Sequence, residues 1–373
     1  MKLDLSQENL GCTLPKELSH LQRWGKYAKL IKEDVYGFFI PQFYEDGTPN
    51  QDWYDFRPNT VGASEIATLC DMDEYGDSVK MFWQKLGDSF GRIDSMFTYW
   101  GLHLEDKIAA TWEYFDGTED GYVDNKMSGK KIRTKIDIPC YAINVNYPWI
   151  SASLDFLVPE GQAEPFNGEV INFSFPLEIK NISPFAAEKY ELGIPHRYVV
   201  QLNQQMIVWG CDYAEIAFLT SGHLFKVLPF EMNTSLCQDI IIKSREFWDR
   251  VERGRELYVP GLPNEEQDPE LYSLEPEPSV NKSFMEFYKQ KYKVSKEDTA
   301  REGTSEEWDI CVEFKEVKDQ IKELEKKAEL LKNKIYLFTK FDEEVSFGEN
   351  GRVVNRRPEE GRSYFGVNIK NWK

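Results

Sequence analysis

Trp149-Ile150-Ser151-Ala152-Ser153-Leu154-Asp155-Phe156-Leu157-Val158 and Pro176-Leu177-Glu178-Ile179-Lys180-Asn181 decide how this chain is read. The first stretch is strand-like but carries a carboxylate at its centre. In the second, an acid and a base alternate around an isoleucine. Strand period two puts Glu178 and Lys180 on one face and turns Ile179 into the opposite layer. A sheet that had only to bury a core would not need charge at these positions. The ordinary alternatives are a turn at Asp155 and a solvated strand face at Glu178 and Lys180.

Around these stretches, turn residues such as Pro159, Gly161, Pro165 and Gly168 separate the runs 136–145, 149–158 and 170–182, which are expected as successive strands of one sheet. The spacing over 99–114 predicts an amphipathic helix, with Leu104, Ile108, Ala109 and Trp112 on one side and Glu105 at its edge. Helices are also expected over 16–32, 63–70, 79–86, 198–210 and 234–255, and a hairpin over 214–219 and 224–230. The polar, Gly-rich 116–135 is expected as a surface loop or hairpin.

With 41% hydrophobic and 14% aromatic residues, a chain of 373 residues can bury a full core. Its start lacks the apolar stretch of a secretory signal and no long apolar run follows, so a cytoplasmic protein without a membrane span is expected. Six scattered cysteines without a CxxC pair support neither zinc nor an iron–sulfur cluster. A formal net charge of -19 argues against coating nucleic acid through a broad basic surface. It leaves room for an enzyme that binds DNA in a locally basic cleft.

Residues 1–262 are expected as one domain with a helical N-terminal cap, and 263–373 as a linker, a long helix and a terminal hairpin. The linker is the Glu- and Pro-rich 264–281. Beyond it, Ile310, Phe314, Val317, Ile321, Leu324, Ala328, Leu331, Ile335 and Phe338 recur at spacings of four and three, which is a heptad seam. Packing on a helix of the same chain, such as 284–292, is favoured over a coiled coil between subunits. Asn350-Gly351 between short apolar runs marks the hairpin.

Two acids and a lysine in this pattern suit phosphodiester hydrolysis, in which hard cations bind phosphate oxygens, acidify the attacking water and steady the leaving oxygen. Magnesium takes carboxylate oxygens and keeps several waters. Asp155 is then the central ligand and Glu178 a second, helped by the Ile179 carbonyl, while Lys180 orients or activates water.

The order of Gly62-Ala63-Ser64-Glu65-Ile66-Ala67, Gly101-Leu102-His103-Leu104-Glu105, Ser153-Leu154-Asp155-Phe156, Leu177-Glu178-Ile179-Lys180 and Tyr198-Val199-Val200-Gln201 resembles the YqaJ-type viral recombinases. These are the lambda exonuclease family within the PD-(D/E)XK nucleases. The resemblance spans about 55–255 and implies an α/β, restriction-endonuclease-like core with a mixed central sheet flanked by helices. It implies a metal site at Glu105, Asp155, Glu178 and Ile179, with Lys180 and Gln201 completing the catalytic group and Arg57 and Ser64 binding a 5′ phosphate. Arg57 offers a bidentate cation and Ser64 a hydroxyl, which suits that anion.

Each residue has an ordinary alternative: Glu105 as a helix edge, Ser64 as an N-cap, Gln201 as a surface residue. Relative to the family, 161–173 is expected as an insertion. His103, His196 and His223 are expected at the surface or near DNA, because the metal prefers oxygen.

The resemblance further implies Mg2+, with Mn2+ as a substitute, in a two-ion site. The activity implied is 5′ to 3′ digestion of double-stranded DNA ends, leaving 3′ tails for recombination. The implied partners are a single-strand annealing protein and other subunits in a ring, and the implied origin is a phage or prophage. The alternatives are an endonuclease for defence or DNA processing and a non-catalytic binding or assembly protein.

Overall fold

The computed structural model describes residues 10–88, 96–163, 170–189, 194–280, 282–292, 300–357 and 364–369. Its helices are α1 (Gln51–Phe56), α2 (Ile66–Leu69), α3 (Ser78–Leu86), α4 (Met96–Trp112), α5 (Glu119–Ser128), α6 (Pro184–Lys189), α7 (His196–Trp209), α8 (Thr234–Leu257), α9 (Pro269–Ser273), α10 (Lys282–Lys291) and α11 (Ser305–Thr339). The strands that position the site are β1 (Ala28–Lys32), β2 (Val35–Phe38), β3 (Val61–Gly62), β4 (Ile136–Asp137), β5 (Tyr141–Asn144), β6 (Ile150–Ser153), β7 (Phe156–Val158), β8 (Gln162–Ala163), β9 (Val170–Ile171), β10 (Phe175–Ile182), β11 (Tyr213–Thr220) and β12 (Leu224–Glu231). None of the described helices is long and apolar enough to cross a membrane.

The expected mixed α/β class is present, but the strands around the site form two five-stranded sheets where one was expected, and β8 and β9 pair apart from both. One sheet runs β1-β2-β5-β6-β3 and the other β12-β11-β10-β7-β4. The chain crosses between them at Leu154-Asp155, where the run 149–158 breaks into β6 and β7. Alternation shows that a run is a strand and says nothing of which sheet it joins, so this break is invisible in the pattern. In the second sheet β10 is parallel to β11 and antiparallel to β7, with Glu178 beside Ile216 and Lys180 beside Phe218. α4 packs on β10 and β11, and α7 packs on β5, β6, β10 and β11, touching both sheets.

Strand alternation divides β10 between two cores. Leu177 and Ile179 pack with Ile108, Ala109 and Trp112 of α4. Ile182 joins Ile216, Phe218 and, from α7, Leu202 and Met206. β11 buries Glu215 on the α4 side, where Trp112 Nε1 donates to Oε2 at 2.7 Å and Arg133 Nη1 at 2.9 Å. The Arg133 guanidinium also lies 4.0 Å from the Trp112 ring centroid.

Several expected elements change. The helix expected over 16–32 is a kinked 3-10 segment, Lys16–Tyr27, followed by β1, because β1 finds its partner in β2 across a tight turn with Asp34 at φ 62. Within the expected loop 116–135 lies α5, capped by Thr118 Oγ1 accepting from Gly121 N at 3.1 Å and closed by Gly129 at φ 70. It buries none of its residues, so no apolar stripe announces it. The expected insertion 161–173 contains the paired β8 and β9, with 164–169 outside the described residues.

The chain divides into two compact units at Lys293/Val294, later than the expected 262/263. The Glu/Pro-rich segment belongs to the first unit because its few apolar residues are used. Leu271 and Phe287 are buried, Trp83 Nε1 donates to Glu275 at 2.5 Å, and Lys291 lies 3.3 Å from the Trp83 ring centroid. In the second unit, α11 precedes a three-stranded sheet that contains the expected hairpin, with Val345 beside Val353 and a third strand, Tyr364–Ile369, beyond it.

Removing one member of the buried Arg133–Glu215 pair strands the other's charge. Arg133→Met should therefore lower stability by about 3–5 kcal/mol, read as an earlier midpoint in urea. An unchanged midpoint would show that the pair contributes nothing.

Candidate active site at the junction of two sheets

The bend at Asp155 gives its carboxylate a structural task. The β7–β10 ladder ends at Leu177 opposite Phe156, and the Ile179 amide then donates to Asp155 Oδ2 at 2.8 Å. The Lys180 ammonium pairs with Glu178 Oε1, lies 3.8 Å from Asp155 Oδ2 and donates to the Ile179 carbonyl at 3.1 Å. Glu178 is 1% exposed, whereas the Asp155 and Lys180 side chains keep 21% and 22% open, so a ligand could reach them. Four of the expected groups, Asp155, Glu178, Ile179 and Lys180, therefore meet at one place.

The electrostatics of this cluster are those of crowded acids. Burial pushes the Asp155 carboxyl up to about 8, assisted by repulsion from Glu178 and Glu105 and opposed by Lys180. Glu105, half-buried on α4, is raised by burial and by Glu178, against the pull of Lys180. Burial disfavours the Lys180 charge, but Glu178 and Asp155 outweigh it and raise its pKa. Among the described residues no three His, Cys, Asp or Glu side chains already surround one point as a finished metal cage does. The donor chemistry nonetheless fits a hard divalent cation: two carboxylates, a backbone carbonyl and a surplus of negative charge with one lysine against it.

Both oxygens of Glu178 are held from α7. Gln201 Nε2 donates to Oε1 at 2.6 Å and Gln205 Nε2 to Oε2 at 2.5 Å. Gln201 is 8% exposed, so it is no surface residue. Its side chain also lines a cavity of about 250 Å³, together with Trp53, Arg57, Thr60, Ser64 and Ser151. Arg57 lies 5.0 Å from the Trp53 ring centroid, and the nearby Glu65 is occupied by Lys85 Nζ at 2.7 Å and Gly62 N at 2.8 Å. Ser64 is exposed in the turn before α2, whose cap is Glu65 without a side-chain cap bond, so Ser64 is not its N-cap. The expected phosphate pair and the expected catalytic group thus share Gln201.

Residues 52–212 match the model of the YqaJ-like viral recombinase domain. The uncharacterized protein YqaJ of Bacillus subtilis strain 168 is 24% identical over 289 residues, covering 76% of each chain. Among solved structures, an alkaline exonuclease from Laribacter hongkongensis shares 18% identity at a TM-score of 0.39, over 56% of this chain and 95% of that one. A phage related exonuclease from Haemophilus somnus 129PT shares 13% identity at a TM-score of 0.32, over 52% and 95%. At those scores the shapes carry no argument of their own.

Within the matched region, sequence reading missed Gln204 and Gln205. Gln204 Nε2 donates to the Val61 and Ser151 carbonyls, both at 2.9 Å, tying β3 to β6 where the cavity opens. A signal was available: Gln201, Asn203, Gln204 and Gln205 crowd one helix, and Gln205 stands one turn from Gln201 on the same face. His103 is exposed and stacks on Tyr99 at 3.9 Å between centroids, and His223 is exposed in the turn between β11 and β12. Gln205→Leu removes a charge-assisted bond to a buried carboxylate and should cost about 1.5–3 kcal/mol of stability. Chemical denaturation beside Gln205→Glu, which adds a second acid to the cluster and should cost more, checks this.

Proposed function

We propose that this protein is a magnesium-dependent deoxyribonuclease that digests duplex DNA from 5′-phosphorylated ends and leaves a 3′ single strand for annealing and recombination. The observation that carries the reading is Gln201, which touches both Glu178 and the cavity holding Arg57 and Ser64. A cationic, hydroxyl-bearing pocket beside an acidic cluster is what an enzyme needs to seat a terminal phosphate while it cuts a nearby phosphodiester. Digestion from the 5′ end and the 3′ product follow from kinship with the YqaJ-type family.

Asp155, Glu178 and the Ile179 carbonyl would hold the ion, with Glu105 near enough to add its charge. Bound magnesium supplies a Lewis acid that acidifies water and steadies the leaving 3′ oxygen. Lys180 donates to the attacking water and to the charge that gathers on the phosphate oxygens. Gln201 and Gln205 keep the Glu178 carboxylate in one orientation, which spares reorganisation during the reaction. Arg57, braced on Trp53, and Ser64 grip the terminal phosphate and set the distance from chain end to cleaved bond. The surplus acid of the exterior repels DNA elsewhere and favours engagement through the cleft.

The test is digestion of linear 5′-phosphorylated duplex beside a closed circle. Wild type should consume the linear DNA with Mg2+, stop with EDTA and spare the circle. Asp155→Asn and Lys180→Ala, checked for folding, should each lose on the order of 10²–10³ in rate. Arg57→Ala should chiefly erase the preference for 5′ phosphate over 5′ hydroxyl. A cut circle would make the enzyme an endonuclease, and undiminished Asp155→Asn activity would remove the site altogether.

A further inference from the structure

α11 begins at a capping box in which Thr304 and Glu307 exchange side-chain and backbone bonds, and its 35 residues reach about 52 Å at 1.5 Å per residue. Along it the heptad seam is exposed: Ile310 68%, Phe314 67%, Leu324 63% and Leu331 50%. A single apolar stripe of that length is uncommon on a surface that only water meets. The seam and its flanking charges also specify what covers it.

With Phe314, Ile321, Ala328 and Ile335 at the first core position of each heptad, the second is held by Ile310, Val317, Leu324 and Leu331. The flanking positions are then Glu313, Gln320, Lys327 and Lys334 on one side and Cys311, Lys318, Glu325 and Lys332 on the other. In a parallel pair each residue of the first flank meets the second flank five residues further along the partner. Glu313 would then attract Lys318, but Lys327 would face Lys332, and Ala328 would meet Ala328 and leave a thin layer in the core.

The antiparallel pair resolves both faults. Ile310 packs against Ile335, Phe314 against Leu331, Val317 against Ala328 and Ile321 against Leu324, so the small alanine meets a β-branched side chain. On the flanks Glu313 faces Lys334, Lys318 faces Glu325 and Gln320 faces Lys327, and no like charges meet. The two-fold axis of this register passes between residues 322 and 323, at the middle of a helix spanning Ser305–Thr339, so the two copies overlap from end to end.

The existing ion pairs agree. Lys315–Asp319 and Lys326–Glu323 lie on the outer positions, and the flanking Lys332, which would face the uncharged Cys311, pairs with Glu329 of its own helix, whereas Glu313, Lys318, Glu325 and Lys334 form no ion pair among the described residues. We propose that α11 packs antiparallel against α11 of a second copy of this chain, joining two molecules through this helix.

The test uses the full chain and sedimentation over a micromolar concentration series. Ile321→Asp with Leu324→Asp should abolish the association, with circular dichroism reporting whether the helix survives. Glu313→Lys alone, or Lys334→Glu alone, sets like charges together twice across the axis and should weaken association about ten-fold. Mixing the two single variants restores both pairs, as does one chain carrying both changes, and wild-type association should return. In a parallel pair Lys334→Glu alone, opposite Thr339, would not weaken association, and the chain carrying both changes would keep the introduced cation against Lys318 and show no rescue. A wild type that sediments as a monomer, seam variants that associate as wild type does, or a failed rescue would each overturn the proposal.

Discussion

A carboxylate buried to 1% exposure sits where the two sheets meet, and much of the domain is arranged to tolerate it. Taking an ionised Glu178 out of water without partners would cost more than the domain can spare. Three donors answer that cost: Gln201 and Gln205 from above the sheet and Lys180 from the same strand. Two of the three stand one turn apart on α7, so that helix must lie across β10 in one register. The same helix ties β3 to β6 through Gln204, and the two sheets are thereby locked around the acid.

This constraint also shapes the surroundings of the cluster. Asp155 can approach Glu178 only because the chain leaves one sheet and enters the other at that residue, which frees its side chain to take the Ile179 amide. Burial, with repulsion from Glu178 and Glu105, makes Asp155 hard to ionise. The neighbouring cavity is kept cationic by a separate device. Lys85, 3% exposed, neutralises Glu65, so the Arg57 guanidinium faces the cavity without an acid of its own among the described residues.

Legibility followed the range of the interaction that decides each element. α7, α8 and the hairpin of β11 and β12 were visible because their apolar periods complete themselves within one stretch of chain. The pairing of Glu178 with Lys180 on one face was visible for the same reason. α5 was hidden because it buries nothing, and the packed segment after Pro263 was hidden because Glu and Pro outnumber the few residues, Leu271 and Phe287, that anchor it. The expected helix over 16–32 failed at Ala28, where pairing with Val35–Phe38 outweighs local spacing.

The sequence by itself determined the residue types of the site, the order of the motifs by which 52–212 matches the YqaJ-like viral recombinase model, and the seam along α11. Those depend on spacing, which each short window of chain carries whole. Only the tertiary structure decided that Asp155 stands at a crossing between sheets, that Gln205 joins Gln201 on one carboxylate, and that Arg57 and Ser64 line one cavity with Gln201. Such meetings depend on how distant elements dock, and docking is set by the sum of many packed faces and no single one of them.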